Sequence, residues 1–103
     1  MEMEELRQIE DVRSLIEEFC EDCRLREMTE ESIRRYRSSL LIFAEFLERQ
    51  GISLESVDTQ VLKGFLHYIK YERQVKYKTI ENFFSALSAF YDFLYLKELL
   101  RRT

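Results

Sequence analysis

The chain has 103 residues, 46% hydrophobic and 35% charged, which is one domain's worth of globular sequence and too apolar for a disordered chain. It has no Pro and only two Gly, so the turn-rich build of an all-β domain is disfavoured and long helices with short links are expected. No run approaches a membrane span, the acidic opening is unlike a signal peptide, and Cys20 and Cys23 cannot make a disulfide framework; the expected compartment is the reducing cytoplasm.

The first helical pattern covers residues 10–26. Val12, Leu15, Ile16, Phe19, Cys20 and Cys23 recur at helical spacing and form one apolar stripe, with Glu17, Glu18, Glu21 and Asp22 largely outside it. Residues 1–9 read as a flexible N-terminus, which leaves 10–103 as the domain. Thr29 suits the N-cap of a second helix, with Glu30 and Glu31 where the helix dipole favours acids. That helix runs to Gln50 and stops at Gly51, a natural C′ residue. Ile33, Tyr36, Leu40, Phe43, Ala44 and Leu47 form its main apolar face, while Ile42 and Phe46 project the other way. An element that is apolar on two sides belongs at the centre of a bundle.

After a link at 52–57, Asp58 caps a third helix reaching to about Glu72, with Val61, Leu62, Phe65, Leu66 and Ile69 as its buried set. A polar, basic connection follows. The fourth helix is expected from about Thr79 to about Leu100, on a face of Ile80, Phe83, Phe84, Leu87, Phe90, Tyr91 and Leu94. The spacing of these aromatics marks them as core rather than as a base-stacking platform. The expected fold is all-α, a compact orthogonal bundle of four helices with no sheet.

Charge is distributed unevenly. Residues 1–32 hold 12 acids and 4 Arg, a net of −8, whereas residues 33–103 hold 12 Lys and Arg against 8 acids, a net of +4. Asymmetry of this kind points to one basic surface beside an acidic first helix. Lys76 and Lys78 crowd the start of the fourth helix, where the dipole disfavours cations unless an anion binds. Tyr77 and Thr79 add hydroxyls there, although a solvated loop with scattered lysines describes the same residues. Arg34, Arg35, Arg37 and Ser38 lie early in the second helix. Glu30–Arg34 and Glu31–Arg35 stand at the spacing of helix-stabilising pairs, and Arg37 is left over by that spacing. Asn82 and Ser85 lie off the core stripe of the fourth helix, and both residue types bond to bases or phosphates.

An enzyme is not indicated. His67 is the only histidine and has no visible catalytic or metal-binding partner. Cys20 and Cys23 sit three apart on an apolar face with no second pair to complete a zinc site, and they read as core. No glycine-rich phosphate loop is present, and no cofactor, metal or small-molecule substrate is expected.

Three stretches in order then carry a family resemblance. The first is Thr29-Glu30-Glu31-Ser32-Ile33-Arg34-Arg35-Tyr36, followed by Leu40, Phe43, Phe46-Leu47 and Gly51. The second is Val57-Asp58-Thr59 leading to Val61, Phe65 and Leu66-His67-Tyr68. The third combines Thr79-Ile80, Leu87-Ser88-Ala89 and Phe90-Tyr91-Asp92-Phe93-Leu94. Over about residues 10–97 the chain resembles the N-terminal SAM-like, or core-binding, domain of tyrosine recombinases and phage integrases. The resemblance implies a domain that closes on double-stranded DNA together with a C-terminal catalytic domain, its second and fourth helices approaching the major groove. It nominates Arg34, Arg35, Arg37, Ser38, Lys76, Tyr77, Lys78, Thr79, Asn82 and Ser85 as DNA contacts. It also implies a catalytic domain in a longer chain and other recombinase protomers as partners. The family's Tyr nucleophile and its activating residues belong to that other domain, so no strand cleavage is expected from these residues. The alternative from another class is a non-catalytic helical protein-interaction or oligomerisation module built on the acidic first helix.

Overall fold

A computed structural model describes the backbone of residues 2–102 and the side chains of residues 12–98. It contains four α-helices: α1 (Glu2–Leu25), α2 (Glu30–Gln50), α3 (Thr59–His67) and α4 (Tyr77–Arg102). A single 3-10 turn, Leu54–Ser56, lies between α2 and α3, and a π-turn, Tyr68–Glu72, extends α3. No strand occurs among the described residues, so the fold is the expected all-α bundle. The expectation of a separate, flexible segment at 1–9 lies outside the residues whose side chains are described.

The helix starts follow local chemistry. Thr29 Oγ1 accepts the Ser32 N–H at 3.1 Å, and Asp58 Oδ1 accepts the Val61 N–H at 2.9 Å. Each cap satisfies one of the donors a helix start leaves open and contributes about 1 kcal/mol. The helix ends share one device. Glu27 (φ 66), Gly51 (φ 66) and Gln74 (φ 55) adopt the left-handed conformation, and each is followed by an apolar residue packed on the core: Met28, Ile52 or Val75. The N–H of that next residue returns to the preceding helical turn: Met28 to the Cys23 carbonyl (3.1 Å), Ile52 to Leu47 (3.0 Å), Val75 to Ile69 (3.0 Å). The first two are Schellman closures, and the third reaches one residue further back because it closes a π-turn.

Phe65 sits at the centre of the core, with no exposed surface. Its ring meets Phe43, Phe46 and Phe83 at centroid distances of 5.0, 5.3 and 5.7 Å, joining α3 to α2 and α4. On the far side of α2, Phe19 of α1 stacks on Tyr36 and meets Phe90 and Phe93 of α4 edge-on. Thus α2 packs against both α1 and α4, as its two apolar sides require. Tyr91 ties the α2–α3 link to α4 by donating its hydroxyl to the Leu54 carbonyl at 3.1 Å.

Two core assignments change. Leu66, expected in the buried set, is 37% exposed, because Phe65 and Ile69 occupy the inward face of this short helix and position 66 is rotated away. Ala86 is fully buried within the stripe that also holds Phe83, Leu87 and Phe90.

Candidate nucleic-acid interface

The start of α4 carries Tyr77, Lys78 and Thr79 immediately after Lys76, all exposed, and its first turn contains no acid. The first turn of α2 carries Glu30 and Glu31 instead. The Ile80 N–H bonds to the Lys76 carbonyl at 3.0 Å, so Lys76 caps a helix that starts at Tyr77, two residues before the expected Thr79. The free N–H groups of this turn are therefore flanked by two ammonium groups, an arrangement that suits a phosphate. Lys78, Asn82 and Ser85 stand at i, i+4 and i+7, on one side of α4.

That side faces α2 across a groove of about 230 Å³ lined by Met28, Ser32, Arg35, Tyr36, Ser39, Asn82 and Ser85. The spacing 32, 35, 36, 39 is one stripe of α2, and its Tyr36 is held by the stack on Phe19, 6.0 Å between centroids. The rim is polar. The Thr29 hydroxyl donates to the Ser32 hydroxyl oxygen at 2.9 Å, which leaves the Ser32 hydrogen free to be donated. On the other side of Ser85, a broad depression is lined by Glu81, Phe84, Ser88, Ala89 and Asp92, so the basic face ends there.

Of the residues nominated from sequence, the groove brings together Arg35, Asn82 and Ser85, with Lys78 one turn away along α4. Arg34 and Ser38 are exposed on α2 outside the groove lining. Arg37 is engaged elsewhere: its Nε donates to Glu17 of α1 at 2.7 Å, a pairing across the α1–α2 contact that spacing within one helix does not reveal. Ser32 and Ser39 line the groove and were not nominated. Their signal was spacing, since each lies three or four residues from Arg35 and so shares its face.

Ion pairing separates the basic residues into two sets. Arg13, Arg24, Arg26, Arg37, Arg49 and Lys97 are all paired, largely with carboxylates of α1 and the second half of α2. Arg34, Arg35, Lys63, Lys70, Arg73, Lys76 and Lys78 have no ion-pair partner among the described residues. The expected Glu30–Arg34 and Glu31–Arg35 pairs do not form; Glu30 instead accepts from Arg24 Nε at 2.9 Å across the turn. Exposed pairs stabilise a fold only slightly. Their larger effect here is to tie up the cations of α1 and the second half of α2 while Arg34, Arg35 and the lysines at the start of α4 stay unpaired.

The two cysteines are structural. Cys20 and Cys23 are buried, and burial pushes both thiols up, away from reactive thiolate. His67 is exposed, its ring centroid 4.7 Å from that of Tyr71. Among the described residues no group of His, Cys, Asp and Glu is placed to hold a metal ion, and no helix is long and apolar enough to cross a membrane.

Comparison with known proteins agrees with this architecture. Residues 16–98 match the family model of the phage integrase N-terminal SAM-like domain, and the chain belongs to that family. It is 31% identical over 68 residues to tyrosine recombinase XerC from two strains of Staphylococcus epidermidis. The matched stretch is 66% of this chain and 23% of the relatives, so the chain corresponds to less than a quarter of their length. No solved structure matches it.

Proposed function

We propose that this domain grips duplex DNA during site-specific recombination or integration, using the α2–α4 groove and the start of α4, and leaves strand cleavage to a catalytic domain in a longer protein. The observation that carries the reading is the partition of charge. Among the described residues, the cations beside the groove lack carboxylate partners, while Arg13 and Arg24 of α1 are paired within the fold. Lys76, Lys78, Arg34 and Arg35 would contact phosphates, with Tyr77, Thr79, Ser38 and the groove serines adding hydroxyl contacts. Asn82 and Ser85 would meet base edges. Arg37 reaches a phosphate only by leaving Glu17. Other recombinase protomers are the expected protein partners, and the cytoplasm, where DNA is accessible, the expected compartment.

The competing reading, a protein-interaction module built on an acidic α1, is weakened by what those acids do. Glu17, Glu18 and Glu21 are already engaged by Arg37, Lys97 and Arg24. Charge reversal distinguishes the two readings. Lys76→Glu with Lys78→Glu should weaken binding to unrelated duplexes alike while leaving the domain folded. Undiminished DNA binding by that folded variant would remove the proposed surface, and self-association that ignores DNA would favour the protein-interaction reading.

A further inference from the structure

The unpaired cations extend beyond the groove. Residues 59–80 contain Lys63, Lys70, Arg73, Lys76 and Lys78 against the single acid Glu72, a net of +4. This stretch alone therefore carries a surplus equal to that of all residues 33–103. Lys76 and Lys78 belong to the start of α4. Lys63, Lys70 and Arg73 belong to α3, its π-turn and the link that follows.

Geometry gathers part of this set on one exposed face. Lys63 and His67 stand one turn apart on α3, at i and i+4. The His67 ring lies 4.7 Å from the Tyr71 ring, and the Lys70 ammonium lies 5.5 Å above that same ring. Tyr71 is 59% exposed, so this cluster is open to solvent. A carboxylate holding Lys70 would cancel its charge. An aromatic ring holds the ammonium by its quadrupole and leaves the full positive charge facing outward. The face is thus partly ordered without being neutralised.

We infer that the outer face of α3 and its π-turn (Lys63, His67, Lys70, Tyr71) is a second contact surface for the phosphodiester backbone of duplex DNA, continued through Arg73 to the start of α4. The occupant follows from complementarity. Compact ammonium groups with a hydroxyl and an imidazole beside them suit phosphate oxygens, and they carry no pattern for reading bases. Chain continuity selects nucleic acid over an acidic protein, because Arg73 lies three residues before Lys76, which the proposed function already places on DNA. The inference rests on that reading and lengthens the footprint: the domain meets backbone along α3 as well as at the groove.

The test compares salt dependence in three proteins and one charge-retaining control on a duplex of about 30 base pairs, longer than the roughly 12 base pairs that the 40 Å extent of the fold spans at 3.4 Å per step. The proteins are the wild type, Lys63→Gln/Lys70→Gln/Arg73→Gln, and Lys76→Gln/Lys78→Gln. With about 0.9 in log–log slope per phosphate contact, the α3 variant should be shallower than the wild type by about 2 to 3. Lys63→Arg with Lys70→Arg retains the charge and should retain the slope. A wild-type slope in the α3 variant, beside a reduced slope in the α4 variant, would overturn this inference and leave the groove in place. Wild-type slopes in both variants would overturn the groove reading as well.

Discussion

Replacing Lys76 and Lys78 with glutamine removes two charges that no carboxylate of the described fold compensates, and this makes the electrostatic consequence calculable. Each phosphate neutralised by a cation releases condensed counterion and contributes about 0.9 to the slope of log affinity against log salt. If both lysines contact phosphate, the variant's slope is shallower than the wild type's by about 1.8. Over a fourfold rise in salt, from about 50 to about 200 mM, the wild type should then lose about 12-fold more affinity than the variant. The difference does not depend on how many other contacts the domain makes. Fluorescence anisotropy with a labelled duplex, repeated over a salt series and on a second unrelated sequence, reads it directly. The two sequences should agree, because phosphates carry no sequence information. Arg37→Gln is the internal control: its guanidinium is held by Glu17, and its loss should change the slope little. Equal slopes for wild type and the double variant would refute the reasoning, as would an Arg37→Gln effect as large as that of the lysine pair.

Other predictions concern the fold that presents this surface. Phe65→Ala deletes the ring that joins α3 to α2 and α4, and should cost about 3–5 kcal/mol in chemical denaturation; a loss below about 1 kcal/mol would contradict its central place. Gly64→Ala should raise stability by about 0.5–1 kcal/mol, since the added Cβ meets Phe46 Cζ at an ordinary 3.8 Å within a helix. Gly51→Ala should instead cost about 1 kcal/mol, because φ 66 is unfavourable for a side chain even where space is open. Burial, reinforced by Glu55, pushes the Tyr91 hydroxyl up to about 12 from an ordinary value of 10.0. A group whose folded value is raised stabilises the fold below its unfolded value, so this contribution is present up to pH 10 and is lost as the pH rises towards 12. Tyr91→Phe should therefore be less stable at pH 8 and lose less than the wild type across that alkaline window, as measured by urea midpoints.

Local rules made much of the bundle legible. Thr29 and Asp58 cap the helices expected of them, Gly51 closes α2, and the two-sided pattern of Ile42, Phe43, Phe46 and Leu47 placed α2 centrally. The ends of α1 and of the π-turn also fall within a residue of the expected Arg26 and Glu72, although Glu27 and Gln74 take the left-handed positions there that glycine usually marks. At the candidate interface, Lys76, Lys78, Arg35, Asn82 and Ser85 could be nominated one by one from charge, dipole and helical face. What sequence could not supply was pairing across helices. Arg37 and Glu17 are twenty residues apart, and Arg24 reaches Glu30 around a turn, so the local expectation of Glu30–Arg34 failed on a tertiary contact. Ser32 and Ser39 were missed for a related reason. Only the approach of α4 turns their stripe of α2 into one wall of a groove.

The most direct test of DNA contact through the α2–α4 face is an NMR titration of the isotope-labelled domain with short duplex DNA at two salt concentrations. Salt-sensitive shifts concentrated on Ser32, Arg34, Arg35 and Ser39 and on residues 76–85, with the α1 stripe around Phe19 unmoved, are the predicted result. Shifts confined to α1, or none at the lower salt, would contradict it.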